Sequence, residues 1–421
     1  MKMRNMSFLR RLVAAGLAML CLAGCALPLF SCAEVGGKTT TLYVYNWGEY
    51  MSDGSEGTLD ANEAFEAWYY ETYGERVRVN YSTFSSNEDM YAKLSSGSVS
   101  YDVIIPSDYM IQRMIAEDML LPLDYANIPN AANLHEDFYG EDAKYDYYDK
   151  GGVYSVPYMY GMVGVIYNTT MVAEDDPNLL AQSWNLLWDE RNAGSILQFN
   201  NSRDAFGSAQ YLLGLDVNSN DEAEWRQALE KLKEQKDVVQ GYVMDEIYNK
   251  MENGSAAIAA YYAGDFMTMY ESNEDLEFYY PTEGTNLYID AMCIPTCAKS
   301  KLIAERYIDF MLTEEPAVAN AEYTYYGSPN RLVRENQEYI DYMNSIKEGG
   351  FDLMYDTDGV KTQAYENLPP ETLLLQNQLW EELKSDIDIS TGIYVTCAVI
   401  LGAMVAIGIY FAIRRKVRNI Y

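Results

Sequence analysis

An α/β fold on a mainly parallel sheet is the architecture the sequence predicts, and three observations point to it. Between residues 40 and 385, short strand-like segments alternate with segments of helical period, the pattern of strands that return through crossover helices. No repeat of fixed short period and no low-complexity tract breaks that alternation. The 421 residues are enough for two or three domains with a substantial core, at about 100–200 residues per domain.

The elements follow in order. Leu42-Tyr43-Val44-Tyr45 reads as a strand, and residues 59–73 carry apolar positions (Leu59, Ala64, Phe65, Trp68, Tyr69) at helical spacing up to Gly74. Val77-Arg78-Val79-Asn80-Tyr81 alternates as a second strand. Ser86-Asn87-Glu88-Asp89 resembles a capping box that opens a helix through Leu94. Asp102 to Pro106 is a short buried strand, with a helix over 109–117. The pattern then repeats: a strand over 158–168, a helix beginning at Ser183-Trp184, a strand over 196–199, an amphipathic helix over 222–234 and a buried strand over 256–262. Tyr288-Ile289-Asp290 and helices near 302–312 and 372–383 complete the body. In such sheets ligands bind beyond the carboxyl ends of strands, which selects Trp47-Gly48-Glu49-Tyr50 and Ser107-Asp108-Tyr109.

The two ends predict placement. Residues 1–24 have a basic start and an apolar run from Leu12 to Leu22, the layout of a secretory signal. Leu22-Ala23-Gly24-Cys25 resembles a bacterial lipobox, so Cys25 is the expected lipidation site. The apolar stretch Ala26–Phe30 leaves an uncleaved anchor, or use of Cys32, as alternatives. Near the other end, residues 393–413 are 21 positions without a charge, long enough to span a hydrocarbon core of about 30 Å. The basic tail 414–421 then belongs in the cytoplasm and the body outside the cell membrane.

Charge and residue counts exclude several functions. Against 63 Asp+Glu stand 30 Lys+Arg, and eight of those basic residues lie in the two end segments, so the stretch between carries 22 − 63 = −41. That balance opposes nucleic-acid binding, which depends on neutralising phosphates, and suits cations. His135 is the sole histidine, which excludes multi-histidine metal sites; it sits in a polar surface stretch. Cys293 and Cys297 are the only cysteines of the body and read as free thiols, although a turn at Pro295 leaves a small disulfide loop open.

Five landmarks carry a likeness to a known family. Tyr45-Asn46-Trp47-Gly48-Glu49-Tyr50, Ser86 to Leu94, Tyr101 to Ser107, Ser183-Trp184 with Leu187-Trp188, and Gly327-Ser328-Pro329-Asn330 keep family order across residues 40–385. The body thereby resembles the spermidine/putrescine-binding proteins of polyamine ABC transporters, within the bacterial extracellular solute-binding proteins. The resemblance implies a two-lobe class II periplasmic-binding-protein fold closing on a ligand cleft. It implies lobe 1 over 40–156 and 290–335 and lobe 2 over 157–289 and 336–388, after a linker over 25–39. It also implies a non-enzymatic, monomeric protein without cofactor or metal, whose partners are a polyamine and permease subunits.

The family's site is a box of aromatic rings with carboxylates at its ends. Carried over residue by residue, the resemblance implies ligand contacts from Trp47, Glu49 and Tyr50, then Ser107 and Tyr109, with Asp108 as an added acid and Gly48 in place of a hydrogen-bonding side chain. The strand-end acidic pair becomes Asn201 and Asp204, and the Trp-x-Asp element becomes Tyr288-Ile289-Asp290. Tyr262 and Tyr326 stand where the family places aromatics, and a final glutamine falls within Leu375-Gln376-Asn377-Gln378. Trp68, Trp184, Trp188 and Trp225 read as packing residues at helical spacings. Asp204 also fits a helix N-cap, and Asp108 an exposed loop acid. Two competing readings are another small cationic solute on the same fold, and an acid-rich hydrolase using paired carboxylates.

Overall fold

The computed structural model of the chain describes residues 39–140 and 142–385. Cys25, the signal segment 1–24, the span 393–413 and the tail 414–421 lie outside the described residues. Among the described residues no helix is long and apolar enough to cross a membrane.

Nine strands build one continuous sheet: β1 (Thr40–Trp47), β2 (Val77–Phe84), β3 (Val103–Ile104), β4 (Ser155–Asn168), β5 (Ile196–Phe199), β6 (Val239–Val243), β7 (Ile258–Tyr262), β8 (Leu276–Tyr279) and β9 (Leu287–Cys293). Their order is β2-β1-β3-β9-β4-β7-β5-β6, with β8 on β4. The first half, β2-β1-β3, is parallel, as is the second, β7-β5-β6. Between them β4 and β9 run antiparallel to each other, β9 antiparallel to β3, and β4 antiparallel to β7 and β8. The expected mainly parallel sheet is therefore corrected to a mixed one. Parallel wings flank a centre where two long buried strands pass from one half to the other. β4 makes the passage in one piece: residues 155–162 pair with β9, and residues 163–168 pair with β7 and β8.

Local chemistry explains most element boundaries. The helix Ala61–Tyr73 begins where the Asp60 carboxylate accepts the backbone N–H of Asn62 and Glu63, and it ends at Gly74 in the left-handed region at φ 70°. It buries Ala61, Phe65 and Tyr69 against the sheet, with Trp68 half-buried beside them. Ser86 caps the helix Asn87–Ser95 by accepting from the Asp89 N–H at 3.1 Å. Around Trp184 the expected helix is corrected to a single 3-10 turn, Trp184–Trp188, because the Asp189 carboxylate caps the next turn by accepting from the Arg191 N–H. Trp184 and Trp225 are fully buried, and each indole donates to a backbone carbonyl: Gly284 for Trp184, Ser219 for Trp225. They are packing residues.

The helix Ser202–Leu213 has no counterpart in the sequence pattern. Every residue from Ser202 to Tyr211 is buried, so it lacks the polar face that creates a 3.6-residue period. Its cap is Asn201, whose side-chain oxygen accepts from the Asp204 N–H at 3.1 Å. Asp204 is thus freed from the capping role that its position also suggested. Cys293 and Cys297 are free thiols.

Candidate functional site

Between the two halves of the sheet lies a cavity of about 730 Å³ counted to its mouth. The carboxyl ends of both parallel wings point into it, where unpaired strand ends and helix starts leave side chains free to face a ligand. β1 ends at Trp47 and leads to Tyr50, β2 ends at Phe84 and leads to Asn87, and β3 leads to Ser107 and Tyr109. From the other half β5 leads to Asn201 and Asp204, β6 to Asp245 and Tyr248, and β7 to Tyr262 and Asp265. The crossing strand β9 forms the floor with Tyr288 and Asp290.

Asp290 is the best-held carboxylate. One oxygen accepts the Ser107 hydroxyl at 2.6 Å and the other the Tyr50 hydroxyl at 2.7 Å. Asn87 organises this corner, accepting from the Ser107 N–H and donating to the Ser107 and Tyr109 hydroxyls. Burial pushes Asp290 up to about 6, with nearby Asp204 adding to the shift and the two hydroxyls opposing it. Asp265, in the first turn after β7, is pushed up to about 7 by burial, with Asp245 and Glu49 adding and the Tyr248 and Tyr326 hydroxyls opposing. Asp204 accepts from the Tyr262 hydroxyl at 2.6 Å and from the Asn201 amide, and burial raises its carboxyl. Asp245 stands exposed at the mouth, where a Cβ on Gly48 would come within 3.3 Å of its carboxylate.

Ten aromatic rings frame these four acids, and no lysine or arginine lines the cavity. Tyr50 meets Tyr326 edge-on at 4.9 Å, Tyr262 meets Tyr288 edge-on at 5.4 Å, and Trp47 leans on Phe84 at 4.6 Å. Two glycines make room for this: a Cβ on Gly264 would lie 2.4 Å from the Tyr326 ring, and one on Gly161 2.5 Å from the Tyr288 hydroxyl. That hydroxyl and the Trp47 indole N–H are buried without a hydrogen-bond partner. Raised carboxyls at Asp290 and Asp265, with no side-chain cation acting on either, describe a site short of positive charge. Among the described residues no cluster could hold a metal ion.

Of the eleven side chains expected at the site, the structure brings ten to this cavity: Trp47, Tyr50, Ser107, Tyr109, Asn201, Asp204, Tyr262, Tyr288, Asp290 and Tyr326. Glu49 is the exception. Its backbone turns through φ 47°, and its exposed carboxylate accepts from the Tyr323 hydroxyl instead. The glutamine expected within 375–378 is also corrected: none of those residues lines the cavity, and Gln376 lies buried with its amide toward the Ser202 hydroxyl. Asp108 is fully buried rather than an exposed loop acid, accepting from the Tyr147 hydroxyl and the Tyr109 N–H. Sequence reasoning missed Asp245, Tyr248, Asp265 and Tyr365. Asp265 was findable, since it follows Tyr262 by three residues at the start of a helix after a strand.

A solute cavity between two sheet halves joined by crossing strands defines a binding protein with a periplasmic-binding-protein-like α/β fold. The family model for bacterial extracellular solute-binding proteins matches residues 61–345, and the chain belongs to that family. It is a solute-binding protein rather than an enzyme. It is similar to the spermidine/putrescine-binding periplasmic protein of Salmonella typhimurium, with 31% identity over 327 residues, 77% of this chain and 85% of that one. A solved chain from Listeria monocytogenes superposes with a TM-score of 0.70 at 32% identity, covering 82% of this chain and 99% of its own. The spermidine/putrescine ABC transporter substrate-binding protein of Streptococcus pneumoniae, solved with calcium and HEPES, gives 0.62 at 32% identity, covering 82% and 98%.

Proposed function

We propose that the protein captures a polyamine, spermidine or putrescine, in this cavity and delivers it to the permease of an ABC transporter. One observation carries the reading: four carboxylates and ten aromatic rings line the cavity with no side-chain cation among them. A polyamine is a hydrocarbon chain carrying ammonium groups, so its methylenes suit the ring faces and its charges suit the acids. Each cation–π contact contributes about 0.5–2 kcal/mol. An ammonium 4 Å from a carboxylate gains roughly 4 kcal/mol at an effective dielectric near 20.

In this reading the ten cavity residues expected from the sequence form the wall around the ligand, and Asp265 joins them. The two halves act as lobes that close by hinge motion at β4 and β9, divided near the boundaries 156/157, 289/290 and 335/336. The uncharged run 393–413 and Cys25 support anchoring at the cell membrane with the body outside; the intact mass of the membrane form tests lipidation. Calorimetry of the full chain in mild detergent with spermidine and putrescine tests the reading. Absence of binding at millimolar ligand refutes it.

A second reading assigns another small cationic solute to the same cavity. Gly48, Asn201 and Tyr288 favour it, because each departs from the family's pattern. A thermal-shift panel of amines, amino acids, thiamine and sugars separates the two, since a true ligand stabilises by mass action.

A further inference from the structure

We infer that Tyr365 sets the length of ligand the cavity accepts, by closing it at the Asp204 end. This rests on the polyamine reading and deepens it. Tyr365 lies outside every regular element, on the segment between the helices Gly350–Tyr355 and Pro370–Ser385, yet it is buried and lines the cavity.

The segment is laced down on all sides. Thr285 donates its N–H to the Lys361 carbonyl, and the Gln363 N–H returns to the Thr285 carbonyl. Tyr211 donates to the Gln363 carbonyl at 2.7 Å, and Asn218 to the Ala364 carbonyl at 2.9 Å. The buried Arg203 guanidinium donates to the Glu366 carbonyl, and the Asn367 N–H to Gln112 in the opposite half. The Tyr365 N–H itself donates to the Asn286 side chain at 3.2 Å. These bonds use backbone groups, so the segment keeps its course whatever side chain stands at 365.

The ring they deliver is wedged. It lies over the Arg203 guanidinium at 4.4 Å and meets Tyr109 edge-on at 6.2 Å. Its hydroxyl would sit 2.0 Å from a Cβ on Gly207, so only glycine admits it at that turn of the helix Ser202–Leu213. The same hydroxyl faces Asp204 and, together with Tyr262, Asn201 and Arg203, opposes the rise of its carboxyl. Asp204 is thus served by protein donors and a neighbouring cation, whereas Asp290 and Asp265 have hydroxyl partners and no side-chain cation. Asp290 and Asp265 are the acids left for ammonium groups, and Tyr365, set against Asp204, bounds the cavity on that side.

Titrating the full chain with putrescine and spermidine, for wild type, Tyr365→Phe and Tyr365→Ala, tests this. The ratio of spermidine to putrescine affinity is expected to rise at least fivefold in Tyr365→Ala and less in Tyr365→Phe, which keeps the ring. Adding Asp204→Asn to Tyr365→Ala should cancel the gain, a coupling that a merely structural ring would not show. An unchanged ratio in both single variants, or a gain that survives Asp204→Asn, overturns the inference alone. Should Tyr365→Ala fail to fold, the ratio in Tyr365→Leu, which removes the ring and keeps apolar bulk, decides. Wild-type protein that binds neither amine overturns the polyamine reading and this inference with it.

Discussion

Replacing Asp290 by asparagine isolates one charge in a site that otherwise keeps its shape. In the native protein both carboxylate oxygens accept hydroxyls, from Ser107 at 2.6 Å and Tyr50 at 2.7 Å. Asparagine keeps one acceptor, and its amide can donate to the other hydroxyl once that hydroxyl rotates. The loss is therefore the charged hydrogen bond to an ammonium, about 1.5–3 kcal/mol, which weakens binding roughly 10- to 150-fold. Stability should move the other way. Burial raises the native carboxyl from 3.8 to about 6, so the folded state holds the proton more tightly than the unfolded chain. Its contribution is most favourable below about 4 and is lost as pH rises to about 6, a loss of roughly 3 kcal/mol at 1.36 per unit. Asp290→Asn should consequently unfold at a higher temperature than wild type at pH 7.5, without ligand, while binding spermidine more weakly by calorimetry. A folded variant with unchanged affinity removes Asp290 from the ligand. Lower stability at pH 7.5 refutes the burial argument.

Three further outcomes follow from the same geometry. Polyamine affinity should rise steeply between pH 5 and 7.5, because Asp290 (about 6) and Asp265 (about 7) ionise in that window while the amines stay protonated; flat calorimetric titrations across it would contradict the assignment. Gly264→Ala places a methyl 2.4 Å from the Tyr326 ring, so it should weaken binding and cost about 1–3 kcal/mol in denaturant unfolding. Trp225→Ala empties a site packed on Phe206 at 5.4 Å and should lose about 3–5 kcal/mol, with ligand selectivity unchanged in the protein that remains folded.

Much of the site was legible because its residues sit at strand ends within local motifs. Trp47 with Tyr50 and Ser107 with Tyr109 follow directly from strand ends, whereas Asn201 with Asp204 came only through the family likeness. Glu49 was misplaced for a conformational reason: its backbone enters the left-handed region, which turns the side chain toward Tyr323. Tyr365 was missed because nothing local marks a loop residue as buried. Its burial comes from bonds to Arg203, Asn218, Thr285 and Gln112, which are distant in sequence.

By itself the sequence determined the α/β alternation, the strand-end origin of the site and its demand for positive charge, since periodicity, turn chemistry and residue type are local properties. Tertiary structure alone decided that β4 and β9 cross between the halves against the parallel wings. It also decided that Asp245 and Asp265 join Asp204 and Asp290 around one cavity, and that a wholly buried helix carries Asp204. The physical reason is that pairing direction and burial depend on what each segment meets in space, and a segment buried on every side leaves no period to read.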